Sequence, residues 1–186
     1  KLEHALGHFG IVVTGARCLD LGASTGGFTD CLLQHGATRV WAVDVGTHQL
    51  AWKLRSDPRV ISLEQTNARN LTAAQLGPDW QPADMVVADC SFISLRRILP
   101  TVSALLRPGG LAIALVKPQF EAGREEADRG EGVILDPAVH ARVLAELQAF
   151  VTAELPQLHW RGVVDSPLLG PAGNKEFLAL LERIPS

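Results

Sequence analysis

No stretch of this chain is apolar for the ~20 residues that a membrane-spanning helix needs. Its opening, Lys1-Leu-Glu-His-Ala-Leu6, lacks the charged, apolar and small-residue layout of a secretory signal. Cysteine is scarce. Cys18, Cys31 and Cys90 form an odd set without C-x-x-C spacing, so they are expected as buried small residues in a reducing compartment, the cytoplasm. The six histidines show neither H-E-x-x-H nor Cys/His pairing, and no metal is expected. A basic excess is missing as well. The formal charge is −3 at pH 7, whereas a protein that grips nucleic acid by its phosphates normally carries surplus positive charge. Any such affinity must come from a local patch or from a segment outside this sequence.

What is present suits one domain with a sizeable core: 186 residues, 47% of them hydrophobic. Its centre is Arg17-Cys-Leu-Asp-Leu-Gly-Ala-Ser-Thr-Gly-Gly-Phe-Thr-Asp30. The apolar run Cys18–Leu21 reads as a buried strand, and Gly22 to Gly27 as a tight turn. Phe28 to His35 continues as an amphipathic helix. Glycines there let a ligand approach the backbone, and free amides at the helix start favour electron-rich groups. About twenty residues past Gly22, the strand Val40–Asp44 ends in a carboxylate, the position that meets ribose hydroxyls in doubly wound sheets. The loop reads G-x-x-x-G-G, not the G-x-G-x-x-G of dinucleotide sites.

The remaining chain alternates strands and helices. A helix is expected over Lys1–Phe9, a short extended lead-in at Ile11–Val13, and helices over 26–34, 46–54, 94–106 and 136–152. Strands are expected at Val60–Leu63, Ala83–Asp89 and Leu111–Val116, with a hairpin of His159–Val164 and Glu176–Leu181 closing the chain. The pattern predicts a mostly parallel α/β sheet with helices on both faces and one C-terminal antiparallel strand. The charged, aperiodic segment 119–135 reads as a lid or binding loop. Ligands in such sheets lie beyond the carboxyl ends of the strands, where Asp20, Asp44, Asn67, Asp89 and Lys117 fall. Asn67 reads equally well as a turn former.

The glycine loop, preceded by Asp20 and followed by Phe28-Thr29, resembles motif I of the S-adenosylmethionine methyltransferases in its FtsJ-like form, D-L-G-x-x-x-G-G-F-[ST]. The resemblance implies a Rossmann-like methyltransferase fold with a seven-stranded sheet over residues 1–186 and S-adenosylmethionine as cofactor. It implies that Asp20, Gly22, Ala23, Ser24, Gly26, Gly27 and Phe28 hold the methionine end of that molecule and Asp44 its ribose. Asn67-Ala68 would lie at its adenine, with Asp89 beside the methyl donor. FtsJ-like ribose 2′-O-methyltransferases use a Lys-Asp-Lys-Glu tetrad, and Lys1, Asp89, Lys117 and Glu176 supply these types in that order. The wording D-C-S-F-I-S-L, L-V-K-P-Q-F-E and G-N-K-E-F is similar to the TlyA/hemolysin A branch, which modifies ribosomal RNA. Its members carry a small basic RNA-binding domain ahead of the helix at Lys1, so such a domain is expected before residue 1.

The expected reaction is methyl transfer to a ribose 2′-hydroxyl of ribosomal RNA, free or in ribosomal subunits. Lys117 would take the proton or steer the oxygen, Asp89 would orient Lys117, and Lys1 and Glu176 would complete the frame. The absence of a D/N-P-P-Y tetrapeptide at Asp89-Cys-Ser-Phe92 disfavours methylation of exocyclic amines. Two alternatives stand beside this reading. One is transfer to a base nitrogen or a small-molecule hydroxyl. The other is a membrane-active hemolysin, for which no apolar span or strongly amphipathic cationic helix is present.

Overall fold

A seven-stranded sheet carries the chain repeatedly to one rim. The computed structural model describes residues 1–123, 125–126 and 131–185. The strands are β1 (Arg17–Leu21), β2 (Arg39–Val43), β3 (Val60–Leu63), β4 (Ala83–Ala88), β5 (Leu106–Val116), β6 (Leu158–Asp165) and β7 (Phe177–Arg183). Their order in the sheet is β3-β2-β1-β4-β5-β7-β6. β1 to β5 pair in parallel, and β7 enters antiparallel between β5 and β6. The order reverses between β1 and β4, the switch point at which a crevice opens in such sheets.

The central strands are buried on both sides, which is why they read as continuous apolar runs. One face is covered by α1 (Leu2–Phe9) and α2 (Gly27–Gln34), with Leu2, Leu6, Leu32 and Leu33 packed against Val40, Met85 and Ile113. The short helix α3 (Trp52–Arg55) adds Leu54 to that layer. The other face is covered by α4 (Leu99–Leu105) and, after the four-residue helix α5 (Pro118–Glu121), by α6 (Pro137–Glu154). There Leu99, Val102, Leu147 and Val151 pack on Val86, Ala112 and Ala179.

Several elements differ from expectation for local reasons. The helix expected over 46–54 shrinks to α3. Side chains take the backbone amides that would nucleate it: Asp44 Oδ1 accepts from Gly46 N–H at 2.8 Å and Glu64 Oε1 from His48 N–H at 2.9 Å. His48 is accordingly left-handed, with φ of 53°. The helix expected over 94–106 is a 3₁₀ turn, Leu95–Arg97, followed by α4, because Pro100 cannot donate to the preceding turn. β5 begins at Leu106, not Leu111, so Pro108-Gly-Gly110 lies inside the strand. There the β4 pairing shifts register between Ala83 and Met85. Residues 11–13 form no strand. Of the segment 119–135 expected as a lid or binding loop, residues 124 and 127–130 lie outside the described residues.

Candidate active site

The glycine loop leaves β1 under Asp20, which is fully buried; its Oδ2 accepts from Thr29 Oγ1 at 2.7 Å and its Oδ1 has no partner. Burial pushes this carboxyl up to about 7; the Thr29 hydrogen bonds pull down and the Asp89 and Asp44 charges push up. The three glycines do different work. A Cβ on Gly22, at φ of 81°, would lie 2.4 Å from the Asp89 carbonyl oxygen, so Gly22 lets the β1 and β4 ends approach each other. A Cβ on Gly26 would strike Leu54 and Leu50. Only Gly27 faces open space, with nothing within 4 Å. It starts α2, whose N-terminus has no side-chain cap.

A crevice of two joined cavities opens above this loop. One, of about 500 Å³, is lined by Ala23, Ser24, Thr25, Gly27, Phe28 and Lys1 among others. The second, of about 270 Å³, is lined by Asp44, Val45, Asn67, Ala68, Phe92 and Ile98 among others, and both include Gly22, Ser24 and Asp89. Asp44 accepts from Ser24 N–H through Oδ2 at 2.8 Å and from Gly46 through Oδ1. Each oxygen keeps acceptor capacity for a hydroxyl. Asn67 does serve as a turn former, with Oδ1 accepting from Arg69 N–H at 2.9 Å, while lining the same cavity. The cofactor expected here fits these residues: an open glycine at a helix N-terminus, a carboxylate at the β2 tip, and an apolar slot between Ala68 and Ile98.

The four tetrad residues come together as two ion pairs. Lys117 Nζ lies 2.6 Å from Asp89 Oδ1 and donates to Ser91 Oγ at 2.8 Å. The approach to Asp89 is off-axis, a charge contact and not a directed hydrogen bond. Lys1 Nζ donates to Glu176 Oε2 at 2.5 Å, and the second oxygen of Glu176 is buried without a partner. Gly170 passes so close to that oxygen that a Cβ would sit 2.5 Å from it. Burial pushes the Cys90 thiol up to about 12, the Asp89 charge adding to it, so this neighbour is no nucleophile.

Beyond the pairs lies a mainly apolar cavity of about 410 Å³ lined by Ser91, Phe92, Lys117, Phe120, Pro171 and Glu176 among others. Phe92 is 91% exposed at φ of 62°, and its ring centroid is 5.2 Å from that of Phe120. A bulky residue in that backbone region is strained, so its surroundings must hold it there. The holding group is Glu121, whose Oε2 accepts from Ser94 Oγ at 2.6 Å and Oε1 from Leu95 N–H at 2.7 Å. The far limb of the lid is pinned by buried Asn174, which accepts from Ile134 N–H at 2.9 Å and donates to the Gly132 carbonyl at 2.8 Å. Ser91, Phe92, Phe120, Glu121 and Asn174 all sit in motifs visible in the sequence but carried no role there. Only their neighbours in space give them one. Among the described residues no group of three or more His, Cys, Asp or Glu side chains could hold a metal, and no helix is long and apolar enough to cross a membrane.

A model of the FtsJ-like methyltransferases matches residues 1–183. The chain is 50% identical over 184 residues to the 16S/23S rRNA (cytidine-2′-O)-methyltransferase TlyA of Mycobacterium tuberculosis; the match covers 97% of this chain and 65% of that protein. It is 42% identical over 180 residues to Hemolysin A of Brachyspira hyodysenteriae, covering 96% of this chain and 72% of the relative. A candidate hemolysin from Lactococcus lactis superposes with a TM-score of 0.91 at 47% identity, over 98% of this chain and 85% of that one. An S-adenosylmethionine-dependent methyltransferase from Mesorhizobium loti shares the fold, with a TM-score of 0.64 at 16% identity over 97% of this chain and 96% of its own.

Proposed function

The chain belongs to the FtsJ-like methyltransferase family, and on that premise we propose that it transfers the methyl group of S-adenosylmethionine to a ribose 2′-hydroxyl of ribosomal RNA. The name of the M. tuberculosis relative supplies the acceptor in this reading. One observation carries it: the Lys117–Asp89 and Lys1–Glu176 pairs stand where the crevice over the glycine loop meets the aromatic cavity, with Ser91 and Phe92 lining both sides.

When bound, S-adenosylmethionine supplies a methyl group on a sulfonium, already a good leaving group. The residues must then align one oxygen and handle its proton. Asp44 would hold the donor's ribose hydroxyls, Asn67 and Ala68 its base, and Ala23 to Phe28 its amino-acid end. Lys117 would steer the acceptor oxygen into line as the ammonium, or, as the neutral amine, take the hydroxyl's proton. Asp89 and Ser91 fix the ammonium's direction, so it cannot swing away into solvent. Glu176 lines the acceptor cavity, with Lys1 holding one of its oxygens and the other buried beside Gly170. Phe92 and Phe120 offer stacking faces for the base attached to that ribose.

The test is to incubate the protein with ribosomal subunits and methyl-labelled S-adenosylmethionine, digest the RNA and locate the label. A 2′-O-methylated nucleoside is expected. Label on a base would assign the other acceptor class. Lys117→Ala should reduce transfer by at least 100-fold, a typical share for a positioned acid or base, while S-adenosylmethionine still binds. Near-normal turnover would remove Lys117 from the reaction.

A further inference from the structure

We propose that Arg69 and Arg97 form a phosphate-gripping edge beside the crevice, over which the RNA backbone runs on its way to Lys117. This rests on the RNA reading above and adds the path of the strand. The chain carries a formal charge of −3 overall. Most of its cations are already engaged. Lys53, Arg55, Arg59, Arg96, Arg107, Arg142, Arg161 and Lys175 each hold a carboxylate. Lys1 and Lys117 are held in the reacting centre. Arg17, Arg39 and Arg183 donate to Gln81 and to the Pro58 and Leu106 carbonyls.

Among the described lysines and arginines, that leaves Arg69 and Arg97 with neither an ion pair nor a side-chain hydrogen bond; only their backbone groups are used. Both are exposed. A cation already bound to a carboxylate must give up that partner to take a phosphate, whereas a free guanidinium gives up only water. Arg side chains also match a phosphate with two parallel N–H donors.

Their placement is as informative as their freedom. Arg69 follows Ala68 and Arg97 precedes Ile98, and both of those residues line the crevice. The two arginines sit on turns that both join α4: the Arg69 carbonyl accepts from Thr101 on α4 at 2.9 Å, and the turn holding Arg97 leads directly into α4. Phe92, 91% exposed, lines the same crevice and reaches the acceptor cavity. Free cations flanking an exposed aromatic ring reproduce the elements that hold a single strand, charge for the backbone and a π face for the base. The positive charge missing from the composition is therefore local.

The test is titration of the full chain with a mixed-sequence single-stranded RNA at stepped potassium chloride concentrations. Each of Arg69→Ala and Arg97→Ala should weaken binding and lower the slope of log affinity against log salt by about 0.7, the share of one phosphate on a single strand. Arg69→Lys and Arg97→Lys should restore the slope, because charge sets it. Arg107→Ala, at the opposite end of the strands where Asp84 holds the guanidinium, should leave it unchanged. Unchanged slopes in both alanine variants, equal loss in Arg107→Ala, or no salt-dependent binding by the wild type would each overturn the proposal. Ribose labelling with unchanged slopes sinks this inference alone; slopes lost without ribose labelling sink the methyl-transfer reading alone.

Discussion

A fully buried carboxyl with one oxygen left unpartnered is costly to ionise, and Asp20 is in that position behind the glycine loop. Its folded value near 7 lies above the ordinary 3.8, so the native state holds this proton more tightly than the unfolded chain does. The sign follows. Below pH ~4 both states are protonated and Asp20 imposes no penalty; between ~4 and 7 the penalty grows; above 7 it is constant. The full difference is on the order of 4 kcal/mol. Asp20→Asn should therefore gain stability relative to the wild type as pH rises from 4 to 7, then level off. Urea denaturation of both proteins across that range measures it, and a difference that stays flat or runs the other way contradicts the assignment. The sequence placed Asp20 at the site by its motif. Its burial under α2, with Thr29 reaching only one of its oxygens, is a matter of packing and not of spacing.

At the scale of elements, the glycine loop separates folding from binding. Gly26→Ala forces a Cβ into Leu50 and Leu54 at φ of 101° and should lower stability by about 1–3 kcal/mol. Gly27→Ala meets nothing and adopts an ordinary helical conformation, so stability should hold or rise by about 0.4–1 kcal/mol. If the space above Gly27 is where the donor sits, S-adenosylmethionine affinity should nevertheless fall. Melting temperature and calorimetric binding, measured together on both variants, distinguish the two roles; unchanged affinity in Gly27→Ala would place the donor elsewhere. Glu121 makes a parallel case. Glu121→Ala removes both acceptors that hold Ser94 and Leu95, freeing the loop that sets Phe92 against Phe120. The KM for RNA should rise while donor affinity stays, and Glu121→Gln, which keeps an acceptor, should recover most of it. Equal loss of donor affinity would make Glu121 a general stabiliser instead. These elements also show how far the sequence could be read. Apolar runs and turn signals placed β1 to β4 within a residue or two, and for β1, β2 and β4 burial on both faces is the reason. The 46–54 helix failed because Asp44 and Glu64 capture amides from outside the segment, which no local window contains.

The whole molecule brings together chain ends and middle around one small volume: Lys1 meets Glu176, Asp89 meets Lys117, and the lid returns to the turn before β7. The four residues of the proposed reacting centre were legible only through family wording, since nothing in spacing links Lys1 to Glu176. The sheet order explains why they meet: β7 lies directly beside β5, bringing Glu176 next to the Lys117 end. Asn174 is the joint of this closure. Its side chain holds Gly132 and Ile134, its carbonyl accepts from Gly170 N–H at 2.8 Å, and Gly170 in turn abuts the free oxygen of Glu176. His140 on α6 adds a ring-nitrogen contact of 2.8 Å to the Ile134 carbonyl, so the lid's return is tied to the helix layer as well. Asn174→Ala removes two hydrogen bonds and leaves the Ile134 amide unpaired, a loss of about 1–3 kcal/mol. Because the sheet itself is untouched, the damage should be local. Hydrogen exchange at the Ile134 amide should accelerate far more than at Ile113 in β5, with methyl transfer falling and donor binding retained. Uniform acceleration across both positions would mean that Asn174 supports the fold as a whole and not the closure over the reacting centre.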